Sequence, residues 1–212
     1  MGNSEIVVTA AQMKEIEQKA DKSGLSYYQM MENAGSAAYE IIKERFPEAE
    51  SFVVFAGKGN NAGDGFVLSR LAAKEAKTVK VILAEGEPKT EDAITNFALL
   101  KDLPVQVVSL DEVNEPVCAD IIVDAIYGTG FHGRLRPEGE KACALINSAD
   151  SAVISLDVPS GVNCDCGTAA KGAVRALLTI SFHAFKPVHV SEAAKEYCGE
   201  SVLADIGING QQ

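Results

Sequence analysis

A short apolar run and a glycine-rich segment follow each other at residues 51–65, which read SFVVFAGKGNNAGDG. The apolar part, Ser51–Ala56, is rich in Phe and Val and is bounded by Gly57, which is typical of a buried strand. Four glycines in residues 57–65 permit positive backbone φ angles and a close approach to a ligand. The helix expected at residues 66–76 would point its first amide groups at an anion. The sequence therefore predicts a phosphate-binding loop between a strand and a helix.

Outward from this stretch, strands and helices alternate along the chain. The predicted strands cover residues 51–56, 78–84, 105–109, 121–126, 152–156, 177–182 and 201–206. The predicted helices cover residues 10–23, 27–46, 66–76, 91–101 and 137–148. Helices between successive strands indicate a mostly parallel sheet with helices on both faces. Without a linker or an internal repeat, we predict a single α/β domain over residues 1–212, in which residues 1–50 add a helical layer.

The composition excludes several classes of partner. The 212 residues carry 19 basic and 30 acidic side chains, a formal net charge of −11. Because nucleic acids and anionic membrane surfaces are bound mainly by Lys and Arg, neither is expected as a main partner. No apolar run approaches the roughly 18–20 residues of a membrane span, and residues 1–6 lack the features of a secretory signal. Five cysteines without framework spacing indicate reduced thiols, so we expect a cytoplasmic protein.

A second glycine-rich segment follows another predicted strand, at residues 124–134, which read DAIYGTGFHGR. Asp124 lies inside an apolar run, where a carboxylate is costly to bury unless it is paired, protonated or bound to a cation. Arg134 either grips a phosphate with two hydrogen bonds or is an ordinary surface charge. We interpret this segment as a second ligand loop at the same edge of the sheet.

A third strand end repeats this pattern in Leu156–Gly161, which reads LDVPSG. Asp157 closes an apolar strand, and Ser160 follows it. Three strand ends thus direct Asn61, Asp124, Asp157 and Ser160 toward one rim, which predicts a shared site. The candidate ligands are hard oxygens without a His or Cys cluster, which excludes a zinc site and favours a monovalent cation over calcium.

Four further polar residues follow strands or lie in loops. His132 lies in the second glycine-rich segment and is placed to touch a substrate. Lys186 follows the sixth predicted strand and either reaches the same rim or stays in solvent. His183 and His189 are interpreted as structural histidines.

The ordered set of these motifs resembles the YjeF N-terminal domain family. The resemblance covers about residues 8–208 and rests on segments 31–35, 59–65, 123–130, 156–161 and 204–207. It implies a Rossmann-like three-layer α/β/α fold and the activity of an NAD(P)H-hydrate epimerase. Such enzymes interconvert the R and S epimers of hydrated NADH and NADPH, a repair step ahead of a dehydratase that accepts one epimer.

The resemblance also implies roles for individual residues. Binding of the hydrated nucleotide would fall to Asn60, Asn61, Ala62, Gly63, Asp64, Gly128, Thr129, Gly130, Phe131, His132, Gly133, Arg134 and Asp157. A potassium ion would be coordinated by Asn61, Asp124 and Ser160. Inversion at C6 of the reduced nicotinamide needs a group that acts as acid and then base, and we predict Asp157 in that catalytic role.

The sequence departs from the family at two places and leaves alternatives open. Ala62 stands where the family usually has Gly, which would strain the chain if that position needed a positive φ. Residues 182–187 follow the usual pattern only in part. An NAD(P)-dependent oxidoreductase would use Gly57, Gly59 and Ala62 as a dinucleotide turn with Glu85 as the ribose-binding acid. A non-catalytic scaffold of the same fold, a homodimer, and a dehydratase partner, fused or separate, also remain open.

Overall fold

A computed structural model describes residues 6–208 of the chain. Both ends of the predicted domain 1–212, including residues 1–5 of the segment inspected for a secretory signal, lie outside the described residues. The described strands are β1 (Ser51–Ala56), β2 (Thr78–Leu83), β3 (Val105–Ser109), β4 (Ile121–Ala125), β5 (Ala152–Leu156), β6 (Leu178–Phe182) and β7 (Glu200–Ala204). The described helices are α1 (Ala10–Lys22), α2 (Tyr27–Arg45), α3 (Asn60–Lys74), α4 (Glu91–Ala98), α5 (Pro137–Ser148) and α6 (Lys195–Cys198). None of these helices is long and apolar enough to cross a membrane.

The seven strands form one sheet in the order β3-β2-β1-β4-β5-β6-β7, and every neighbouring pair is parallel. The prediction of an α/β fold with a mostly parallel sheet is confirmed. The strand order reverses at β1, which pairs with β2 on one side and with β4 on the other. In such sheets a crevice opens beyond the carboxyl ends of the strands at the point of reversal, and ligands bind there.

Helices cover both faces of the sheet and make three layers. Along β1, Phe52 and Val54 pack into a core shared with α1 to α4, whereas Val53 and Phe55 pack into a second core with α5. This alternation follows from the two-residue period of a strand. Because both faces are buried, the central strands are almost wholly apolar, and Asp124 in β4 is a marked exception.

The largest disagreement with the sequence prediction lies at α3. We expected a loop over residues 57–65 and a helix from Phe66, but α3 begins at Asn60 and Gly59 is its N-cap. None of these glycines adopts the positive φ that the sequence would permit. Three of them are small because of packing: a Cβ on Gly57, Gly63 or Gly65 would come within 3 Å of a neighbour, at Gly65 2.8 Å from the Cβ of Ala125 in β4. A Cβ on Gly59 would meet nothing within 4 Å. Only residues 57–59 remain as a turn.

The two opening helices are tied to the rest of the chain by specific polar contacts. Thr9 caps α1 in a capping box with Gln12, and the amide of Ala10 donates to Asp165. The side chain of Asn33 in α2 donates to the carbonyl of Ile206, which joins two of the motifs singled out in the sequence. These contacts hold α1 and α2 against the sheet, with the middle of α1 at the edge of the crevice.

Candidate active site

A cavity of about 670 Å³ occupies the crevice at the reversal of strand order, within the usual size range of ligand pockets. Its wall is built from the ends of five strands and from α1. Of the predicted substrate-binding residues, the wall contains Asn60, Asn61, Asp64, Gly128, Thr129, Gly130, Phe131, His132, Arg134 and Asp157. Ala62, Gly63 and Gly133 do not line it. Ala62 is fully buried in the helix and Gly63 packs against Met31. Ala62 does not adopt a positive φ, so its methyl group causes no backbone strain.

Asp157 lies directly after β5 with φ +62, an uncommon conformation for a residue with a side chain. One carboxylate oxygen lies 2.8 Å from the ammonium of Lys186. The other accepts a hydrogen bond of 2.9 Å from the amide of Thr129 in the second glycine-rich segment. Burial raises the pKa of Asp157, but the charge of Lys186 and these hydrogen bonds outweigh it and hold the pKa below its ordinary value. Asp157 is therefore a fixed carboxylate on the cavity wall.

Lys186 reaches this rim, which resolves the alternative that the sequence left open. Its side chain is 1% exposed, and its ammonium donates to Asp157, to the Ser181 hydroxyl and to the Phe182 carbonyl. A buried ammonium is tolerated only with such partners. His189 supports the arrangement: its Nδ1 accepts from the Lys186 amide, so its Nε2 donates to the Asp157 carbonyl at 2.7 Å. Burial and Lys186 lower the pKa of His189 to about 4, so the ring is neutral.

Asp124 lies beneath the cavity floor and is fully buried in β4. Its carboxylate accepts hydrogen bonds from the Ser160 hydroxyl at 2.5 Å, the Ser160 amide at 2.8 Å and the Ser155 hydroxyl at 2.9 Å. Burial raises the pKa of Asp124 although these hydrogen bonds oppose it. Within residues 6–208 no cationic side chain forms an ion pair with it.

Asn61 places an unused oxygen close to the same region. Its side-chain amide donates to the carbonyl of Leu156 at 3.2 Å, while its Oδ1 is buried without a hydrogen-bond partner among the described residues. The Asn61 amide oxygen, the Asp124 carboxylate and the Ser160 hydroxyl thus belong to the ends of the neighbouring strands β1, β4 and β5, and Ser160 contacts Asp124 directly. No cluster of three or more His, Cys, Asp or Glu side chains suited to a metal occurs in the described part of the chain. A donor set with a single carboxylate fits a weakly charged hard cation.

The second glycine-rich segment forms an irregular loop over the cavity mouth. A Cβ on Gly128 would lie 2.7 Å from a carboxylate oxygen of Asp157, so this glycine permits a close approach and does not adopt a positive φ. Gly130 faces open space. His132 lies on the rim with its Nδ1 2.8 Å from the side chain of Asn163, and Arg134 lines the cavity with its side chain exposed.

Sequence reasoning gave no role to several residues of the wall. Lys58, Lys89 and Arg136 add positive charge at the side of β2, where the Glu85 carboxylate accepts from the Tyr127 hydroxyl. Glu17 and Met13 enter the wall from α1. Lys58 follows a strand, so its position could have signalled the site, whereas Glu17 carries no such signal. Glu85 was considered only as the ribose-binding acid of the oxidoreductase alternative.

Comparison with known proteins shows similarity to one family and to relatives with related names. The family described as YjeF-related protein N-terminus matches residues 27–188. A bifunctional NAD(P)H-hydrate repair enzyme Nnr of Coxiella burnetii is 37% identical over 203 residues, which cover 93% of this chain and 41% of that protein. An NAD(P)H-hydrate epimerase of Cenarchaeum symbiosum is 34% identical over 205 residues, 95% of each chain. The crystal structure of the yeast protein ynu0 superposes with a TM-score of 0.77 at 26% identity, covering 93% of this chain and 86% of that one. The chain thus spans about two fifths of the length of its bifunctional relatives.

Proposed function

Because the chain belongs to the family of YjeF-related protein N-terminal domains, we propose that it is an NAD(P)H-hydrate epimerase. Its substrates are the hydrated forms of NADH and NADPH, which it interconverts between the R and S configurations at C6 of the reduced nicotinamide. The observation that carries this proposal is the fixed Asp157 carboxylate, paired with Lys186, in a cavity at the reversal of the sheet. The relatives named for this activity support it.

The reaction needs proton transfer and little else from the protein. Once an acid protonates the C6 hydroxyl, the neighbouring ring nitrogen expels it as water and a planar cation forms. Water then adds to the opposite face of this cation. In this proposal Asp157 exchanges protons with water at this centre. Its carboxylate also stabilises the cation electrostatically, because the two charges lie in a largely buried site.

The rest of the nucleotide fits the remaining wall. The N-terminus of α3 and the amides of residues 128–134 favour the negative charge of phosphates. Lys58, Lys89 and Arg134 add positive charge along the same rim. We place the phosphates there, with the reduced ring directed toward Asp157.

A potassium ion belongs to the proposal, held by Asn61, Asp124 and Ser160. The unpartnered Oδ1 of Asn61 and the uncompensated carboxylate of Asp124 support this assignment. When bound, the ion would compensate the charge of Asp124. The Ser160 hydroxyl also accepts from the amide of Tyr127 at 2.9 Å, which connects this group to the second glycine-rich loop.

A dehydratase that accepts one epimer is the expected downstream partner, fused or separate, and the relatives named bifunctional support this part of the proposal. The reaction is assigned to the cytoplasm. The five free thiols support a reducing compartment.

The direct test is incubation of the protein with one pure epimer of hydrated NADPH and chromatographic detection of the other. Exchange above the spontaneous rate is expected. Hydride transfer to a carbonyl compound without epimer exchange would favour the oxidoreductase alternative. If the protein catalyses neither reaction, the non-catalytic scaffold is the alternative that remains.

A further inference from the structure

Inversion of a carbon through a planar cation places different demands on its two faces. The hydroxyl that leaves one face needs a proton, while the water that arrives on the other face must lose one. A single carboxyl that returns the same water to the same face regenerates the starting epimer. Given the proposed epimerase function, on which this inference rests, a second proton-transferring group is needed in the cavity.

We propose that Asp64 donates the proton to the departing C6 hydroxyl while Asp157 takes a proton from the incoming water. The C6–O bond breaks with its electron pair on oxygen, and water leaves together with the proton of Asp64. The new C6–O bond forms from a water molecule whose surplus proton passes to Asp157. One inversion therefore moves one proton from Asp64 to Asp157, and the opposite epimer returns it.

The placement of the two carboxyls carries this assignment. Asp64 lies on α3 and Asp157 lies after β5, so they enter the cavity from different elements. Asp64 is 9% exposed, and its carboxyl has no hydrogen-bond partner among the described residues. A polar group in that situation is costly unless a ligand or solvent in the cavity engages it. Asp157, in contrast, is held on both oxygens by Lys186 and Thr129.

The surroundings give the two groups opposite protonation preferences. Burial, the charge of Asp157 and that of Glu17 raise the pKa of Asp64 well above its ordinary value, against the smaller effect of Lys186. The pKa of Asp157 is lowered, as described above. A pair of carboxyls whose environments separate their pKa values is the usual arrangement for an acid and a base in one site.

The test compares Asp64→Asn, Asp157→Asn and the control Asp21→Asn, an exposed carboxylate of α1 outside the cavity. Epimer exchange is followed from each pure epimer across pH. Both cavity variants are expected to lose at least about 10²-fold in rate, and the control is expected to keep the wild-type rate. The wild-type rate should fall as the pH rises through the raised pKa of Asp64, and the residual rate of Asp64→Asn should lack that fall.

Glu17→Gln provides a second arm that leaves Asp64 in place. Removing the neighbouring negative charge should lower the pKa of Asp64. The decrease in the rate of epimer exchange at alkaline pH should then occur at lower pH. Thermal stability distinguishes a structural role of Asp64 from its proposed role as proton donor. Because folding opposes the ionisation of Asp64, the Asp64→Asn variant should keep or raise the Tm at neutral pH.

The assignment of Asp64 is overturned if Asp64→Asn retains a rate within threefold of wild type. It is also overturned if the loss of rate at alkaline pH occurs at the same pH in Glu17→Gln as in wild type. In both cases epimer exchange by the wild type leaves the proposed function standing. If Asp64→Asn proves unfolded by circular dichroism, the Glu17→Gln arm decides. A wild-type protein that exchanges no epimers overturns the proposed function itself, a distinguishable result.

Discussion

Asp124 and Asp157 come from the ends of neighbouring strands and look alike in sequence, yet the structure gives them opposite surroundings. Asp124 is surrounded by hydroxyl and amide donors from Ser155 and Ser160 and has no cationic partner among the described residues. Asp157 has the ammonium of Lys186 at 2.8 Å. Burial acts on both, but it raises the pKa of Asp124 whereas Lys186 holds that of Asp157 low.

This difference supports the different chemistry that we propose for the two carboxyls. A carboxylate compensated within the protein is ready to act on a substrate, whereas a buried carboxylate without a counter-charge attracts a cation or a proton. We therefore keep Asp157 for proton transfer and Asp124 for the ion. The following changes test that division, beginning with the largest expected effect.

Asp157→Asn should have the largest effect, because it keeps the shape of the side chain and removes its proton-accepting capacity. We expect epimerisation to fall by about 10²–10⁴-fold, with the far-ultraviolet circular dichroism spectrum unchanged. The rate of epimer exchange is measured by chromatography. A near-wild-type rate would remove Asp157 from the chemistry and erase its contrast with Asp124.

Lys186→Met should turn Asp157 into a buried carboxylate without compensation, like Asp124. Removing one partner of such a pair typically costs about 3–5 kcal/mol of stability. The pKa of Asp157 should rise, so the acid limb of the rate profile should move to higher pH. In the wild type, the lowered pKa of Asp157 stabilises the folded state at pH values above the pKa of this group in the unfolded chain. That stabilisation is lost as the pH falls through the pKa of Asp157 in the folded state. The Tm difference from wild type should therefore narrow toward acid pH.

The matched control for this change is Lys171→Met, since Lys171 is exposed and outside the cavity. It should leave Tm and the rate profile unchanged. An acid limb that stays in place in Lys186→Met would show that the ion pair does not set the pKa of Asp157.

Gly128→Val should block the site at the contact between the second glycine-rich loop and Asp157. Its Cβ would lie 2.7 Å from the carboxylate oxygen, so the loop or Asp157 must move. Overpacking of this kind costs about 1–3 kcal/mol, and we expect the affinity for intact NADP to fall at least tenfold in a titration. Ala144→Val, at an exposed position of α5 outside the cavity, is the control and should leave the affinity unchanged. Equal affinities for wild type and Gly128→Val would place the nucleotide elsewhere.

Asp124→Asn should affect the response to potassium more than the basal chemistry. A ligand of the folded state raises Tm, by about 2–4 °C per kcal/mol for a chain of this size. Potassium chloride should therefore raise the wild-type Tm relative to choline chloride at equal ionic strength, and Asp124→Asn should abolish the difference. Asp150→Asn, an exposed carboxylate, should keep it. A wild-type protein without any potassium effect would contradict the ion site.

Sequence reasoning succeeded where the signal is local and failed where partners are distant along the chain. The bounds of β3, β5 and α5 were predicted to the residue, because apolar runs and Pro137 mark them. Gly63 and Gly65 were wrongly assigned to a loop, because glycine in a helix packed against α2 and β4 looks the same in sequence as glycine in a loop.

The candidate site shows the same division. The positions of Asn61, Asp124 and Asp157 near the ends of strands could be recognised from the alternation of strands and helices and from the polarity of these side chains. The partners that set their charge states could not, since the pairing of Lys186 with Asp157 depends on where β6 ends relative to β5. Glu17 reaches the cavity only because α1 is held at its edge.

The smallest effect is expected for Thr129→Ala, which tests whether the backbone or the side chain of the second loop orients Asp157. The hydrogen bond of 2.9 Å to the Asp157 carboxylate comes from the amide of Thr129, and alanine retains that donor. Truncating the hydroxyl should therefore change the epimerisation rate and the affinity for NADP by less than about threefold, the scale of substitutions that break no specific interaction. Thr129→Pro is the matched opposite, because proline lacks the amide hydrogen. It should raise the pKa of Asp157 and move the acid limb in the same direction as Lys186→Met. A large loss in Thr129→Ala would mean that the hydroxyl contacts the substrate and that the loop does not bind through its backbone alone.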